Sequence, residues 1–149
     1  MFTLQSITEA SEYKAYRVTE PPPTRAGVMN LIRLYADAAG ESHFEHRHVK
    51  LIFKQFAPPA APLHISEPQS ATAFLLLQLP VGWIGEMHVS PKRQIMFCLS
   101  GAIKVTTSTN DERIIEAGMG LLMEDTTGKG HVTEVISPVP VTQIIVQQE

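Results

Sequence analysis

From Val28 onward the chain repeats one pattern, an apolar run of five to eight residues followed by a cluster of turn formers. The runs are VMNLIRLY from Val28, VKLIF from Val49, AFLLLQL from Ala73, QIMFCLS from Gln94 and AIKVTTS from Ala102, then ERIIEA, GLLME, HVTEVI and VTQIIV. Gly, Pro, Asn-Asp or Ser-Pro separate them. Runs this short, rich in Ile, Val, Leu and Phe and bounded by such residues, read as strands. Many short strands with brief connections predict an antiparallel sandwich or barrel. The proline-rich stretch from Pro58 to Pro62 reads as a loop, because apolar strands follow it at once.

The first 27 residues break the pattern. Ser6-Ile7-Thr8-Glu9 forms a capping box, and Glu9 and Glu12 precede Lys14 and Arg17, as a helix dipole favours. A short helix over residues 7–17 is therefore expected, ended by Pro21-Pro22-Pro23. Residues 1–27 read as an N-terminal extension, and residues 28–149 as a single barrel domain.

Composition narrows the function classes. A chain of 149 residues holds one domain with a proper core. Hydrophobic content of 44% with 18% charged residues is that of a globular protein, and a net charge of −3 gives no basic footprint for nucleic acid. The N-terminus lacks a basic region followed by an apolar core, and the longest apolar stretch, Ala71 to Leu79, is far short of a membrane span. A cytoplasmic protein with neither nucleic-acid nor membrane partners is the expectation. The one cysteine, Cys98, suits a reducing compartment and reads as a small buried hydrophobe.

Candidate chemistry lies with the histidines. Gly128-Lys129-Gly130 resembles a phosphate loop at first sight, but Met123 and Gly130 stand where that loop needs a glycine and a hydroxyl residue. His131 is then the residue to explain. Strand alternation puts Ile84, Glu86 and His88 on one face, Gln94, Met96 and Cys98 on another, and His131, Thr133 and Val135 on a third. If these faces turn into one barrel, Glu86, His88, Gln94 and His131 converge. In GESHFEHRH, His46 and His48 share one face and His43 with Glu45 the other. Charged neighbours mark this as an edge strand, with His43 at the barrel mouth as the rival reading.

These residues resemble the cupin superfamily of small jelly-roll barrels. Its first motif aligns through Gly82, His88, Ser90, Gln94 and Gly101, and its second through Gly120, Thr126, Gly128, His131 and Val135. The resemblance implies an all-β antiparallel jelly-roll β-barrel, a homodimer, and a divalent transition metal such as zinc, iron, nickel or manganese held by two histidines, a glutamate and a third histidine. Here His88 and His131 match, Ser90 replaces one histidine and Gln94 replaces the glutamate. A neutral amide offsets no cationic charge, so the metal-site pattern is reduced. Glu86 is the candidate for a compensating carboxylate. Met96 and Trp83 read as core or pocket lining, and Lys129 as a surface residue or a lysine at the pocket entrance. Asp125, Thr126 and Thr127 read as the turn that replaces the family's proline. Two functions are left in view: a module binding a small molecule in the barrel pocket, and a metal-dependent oxygenase, isomerase or lyase acting on a small polar substrate.

Overall fold

The structure, a computed structural model, describes residues 26–148. The expected helix over residues 7–17 lies outside them. Twelve strands follow in order: β1 (Val28–Ala36), β2 (Ser42–Lys50), β3 (Ile52–Lys54), β4 (Leu63–Ile65), β5 (Ala73–Leu79), β6 (Ile84–His88), β7 (Gln94–Ser100), β8 (Ala102–Thr107), β9 (Glu112–Glu116), β10 (Gly120–Glu124), β11 (His131–Val135) and β12 (Val141–Gln147). No described residue is helical, and no helix is long and apolar enough to cross a membrane.

One sheet has the order β2-β1-β10-β7-β12-β5 and the other β6-β11-β8-β9, while β3 and β4 form a separate hairpin. Counting only β5 to β12, the two sheets run first-eighth-third-sixth and second-seventh-fourth-fifth. That order is two interleaved Greek keys, the jelly roll. β1 and β2 are added to the free side of β10, and β1 pairs with β10 in parallel. This departs from the all-antiparallel expectation for a physical reason. Parallel partners need a long crossover, and β2 to β9 lie between β1 and β10 in sequence.

The core fills the space between the sheets. Ile32 and Leu34 of β1, Met96 and Cys98 of β7, Leu121 of β10 and Val141 and Ile145 of β12 face Ile103 and Val105 of β8, Ile115 of β9 and Val135 of β11. Trp83, Phe44, Leu77 and Leu79 pack against this cluster. Alternation along β7, β11 and β12 thus sends every second residue inward, as the apolar runs require.

The sheet edges differ in kind. β2 presents Glu45, His46, Arg47, His48 and Lys50, and charge of this sort blunts an edge. β5, at the opposite edge, presents Phe74 and Leu76 at 71% and 70% exposure.

Candidate functional site

The site is built where β11 begins. His131 pairs across the ladder with His88 of β6 and Thr107 of β8. The two imidazole centroids stand 4.6 Å apart at 52°. Gly130 makes this approach possible: its φ is +81°, and a Cβ there would lie 2.0 Å from the His88 carbonyl oxygen. Any side chain at residue 130 would push β11 away from β6. Gly128 serves the same loop at its other side, since a Cβ there would meet the backbone of Gly40 at 2.5 Å.

His131 is buried and is held by a second buried residue. Its Nδ1 donates to Asp125 Oδ2 at 2.6 Å, and the Ser90 hydroxyl donates to Asp125 Oδ1 at 2.7 Å. Ser90, Asp125 and His131 are each no more than 1% exposed. The Ser90 amide also donates to the Asp125 carbonyl, locking the loop after β6 to the end of β10. This is not a nucleophile triad. There the serine must meet the imidazole, whereas here it meets the carboxylate.

His88 is fixed differently. Its Nδ1 donates to the backbone carbonyl of Glu86 at 2.6 Å. With both Nδ1 atoms engaged by oxygen acceptors, Nε2 is the ring nitrogen left for a further partner.

The structure places the other predicted residues as follows. Gln94 and Met96 face the interior and are buried, at 4% and 3% exposure. Gln94 accepts a bond from Gln147 at 3.3 Å and lies beside the Met123 sulfur. Asp125 follows β10 directly, and Met123 of β10 pairs with Gln94, so Gln94 and His131 share one end of the barrel. Glu86 does not share the face of His88. The β6–β11 register shifts between His131 and Thr133, three residues of β6 opposing two of β11, and such a bulge reverses alternation. Gly85, not Glu86, turns its Cα toward the His88 ring, where a Cβ would meet Cε1 at 3.3 Å.

His43 and Lys129 are not brought to the site. His43 pairs with Tyr35 on the outer face of the sheet, and its Nε2 donates to Asp37 Oδ2 at 2.7 Å. Alternation with the inward Leu34 sends Tyr35 and its partner outward. The Lys129 ammonium is held by Glu41, and the Lys129 amide by the Gly40 carbonyl.

The donor set does not fit the implied metal. Among the described residues no three of His, Cys, Asp or Glu are grouped to hold an ion. Ser90 and Asp125 are engaged with each other and with His131, which leaves two imidazoles and an amide. Cys98 adds no thiolate: burial, with help from the nearby Glu116 carboxylate, pushes its thiol up to about 11. Asp125 is the residue sequence reasoning missed. It reads as a turn former, and only the strand order reveals that the end of β10 lies against the start of β11.

The strand order decides the architecture. The barrel is a jelly roll.

No family model matches the chain, and no curated protein matches it. Among solved structures it is similar to protein NMB1881 from Neisseria meningitidis, with 10% identity, 97% of this chain and 100% of that chain covered and a TM-score of 0.41. It is similar to the Cnp3 cupin domain of Schizosaccharomyces pombe, with 14% identity, 84% and 86% covered and a TM-score of 0.42. An oxalate oxidase in complex with the substrate analogue glycolate matches with 12% identity, 90% and 57% covered and a TM-score of 0.41.

Proposed function

We propose that this cupin-type barrel binds a small molecule and that His88 and His131 act as fixed hydrogen-bonding groups rather than as parts of a complete metal centre. The supporting observation is the buried Ser90–Asp125–His131 chain. The residue that would carry another imidazole donates a hydroxyl to a carboxylate, and that carboxylate sets the tautomer and angle of His131. His131 so held offers Nε2 as a hydrogen-bonding atom to a polar group of the bound molecule. His88 offers the same from the facing strand.

The second reading, a metal-dependent enzyme with His88, Gln94 and His131 as ligands, has one observation in its favour. Histidines that ligate metals commonly give their other ring nitrogen to a carboxylate or a backbone carbonyl, as both do here. One experiment separates the two. The protein is purified without chelator or polyhistidine tag, analysed for metals, and melted with zinc, manganese, iron and nickel. The expected result is no stoichiometric metal and no rise in melting temperature. A metal at 100 times its dissociation constant stabilises by about 2.7 kcal/mol. A rise of that size, abolished by His131→Ala, would establish the metal reading instead.

The barrel acts as a homodimer joined through β5, whose apolar edge side chains support this pairing. The cytoplasm is its expected compartment, and a single buried cysteine suits that setting.

A further inference from the structure

The inner face of β12 carries one polar side chain that no contact explains. Gln143 lies between Val141 and Ile145, both core residues, and opposite Leu77 of β5 and Cys98 of β7. It is 4% exposed, and among the described residues its amide has no hydrogen-bond partner. The one side-chain nitrogen or oxygen that is both sealed and unpartnered among those residues is Arg33 Nε. The Gln143 amide is therefore not fully sealed and keeps a little accessible surface. Thr133, on the inner face of β11, is likewise buried with an unpartnered hydroxyl.

A buried amide without a partner weakens a fold, so its presence calls for a partner from outside the chain. The polar positions along the barrel suit such a partner. Gln94 and Gln147 join at the histidine end. Gln143 is four residues from Gln147 along β12, about 13 Å at the rise of an extended strand. Between them the inward side chains of β5, β7 and β12 are Leu75, Met96 and Ile145.

We propose that Gln143 selects the ligand of the barrel and that this ligand is uncharged, with an amide-like pair of hydrogen-bond donor and acceptor at its buried end. The inference rests on the reading that the barrel binds a small molecule. The inward positions of β5, β7, β8, β11 and β12 carry no Lys, Arg, Asp or Glu. An ionic head group beside Gln143 would lose its hydration without meeting an opposite charge. A neutral head group with one donor and one acceptor satisfies the side-chain amide on both of its atoms.

The test uses benzamide, benzoate and benzylamine, which share a ring and carry a neutral, an anionic and a cationic head. Each is added to the wild type and to Gln143→Met, with Gln143→Leu as a second shape, and binding is read by saturation-transfer NMR and thermal shift. Benzamide is expected to bind the wild type about tenfold more tightly than either charged probe. Both variants are expected to melt above the wild type and to lose the preference for benzamide, because apolar atoms replace an unpartnered amide. Charged probes that bind as well as benzamide overturn the uncharged class alone. Variants that melt below the wild type show that Gln143 supports the fold and overturn its assignment. Silence from all three probes overturns the barrel-pocket reading and the selection with it.

Discussion

At residue 90 a hydroxyl stands where the family pattern has an imidazole, and the difference propagates through Asp125 to His131. Removing the middle member has the larger effect. Asp125→Ala leaves both the Ser90 hydroxyl and the His131 Nδ1 without their partner, and should cost about 2–3 kcal/mol in urea unfolding. Ser90→Ala removes one donor from a carboxylate that keeps its imidazole, and should cost about 1 kcal/mol. Equal losses for the two variants would show that the chain is not organised around the carboxylate. At this scale, alternation was enough to read Gln94, Met96 and His131 as inward. Glu86 was misplaced because a bulge is invisible to a period of two. Asp125 was read as part of a turn because its partners, Ser90 and His131, lie 35 and 6 residues away, and only the second separation is local.

The β1–β2 hairpin shows how one element holds the loop that carries the site. Asp37 Oδ1 accepts from the amides of Ala39 and Glu41 at 2.9 and 3.0 Å, and the Gly40 carbonyl accepts from the Lys129 amide at 2.8 Å. The hydrogen bond from His43, reinforced by those two amides, holds Asp37 below the usual carboxylate range. Hydrogen bonds from Lys129 and the Ser108 hydroxyl do the same for Glu41. Both shifts are downward, so their contribution is present at pH values above the unfolded carboxylate range. It is lost as pH falls through the depressed values, below about pH 4. Exchange protection at the Ala39, Glu41 and Lys129 amides should be constant from neutral pH to about pH 5 and fall below about pH 4. Protection lost already near neutral pH would assign the hold to another group. The hairpin's charged second strand was legible as an edge. The parallel contact of β1 with β10 was not, since nothing local in either strand encodes the direction of a partner 80 or more residues away.

For the whole molecule, the proposed pairing rests on the contrast between the two edges of the six-stranded sheet. β5 is solvent-facing along Phe74 and Leu76, whereas β2 is charged. Phe74→Lys, which puts onto β5 the kind of charge that β2 already has, should convert a dimer to a monomer in light scattering after gel filtration, with the barrel still folded by circular dichroism. A wild type that runs as a monomer at all concentrations would remove the β5 pairing. The all-β class and the strand spacing were legible as a whole because apolar periodicity and turn residues are local signals. Which edge lies open was not, because that depends on the order in which the strands assemble.

Unlike edges also set where growth stops. In the proposed dimer, two copies joined β5 to β5 about a twofold axis would use up both apolar margins of the six-stranded sheet and leave its two β2 margins outward, each carrying Glu45, Arg47 and Lys50. Such a pairing would be self-terminating through this sheet: its stoichiometry would be written into the asymmetry of the two edges, and a filament grown along the sheet would require that asymmetry to be erased.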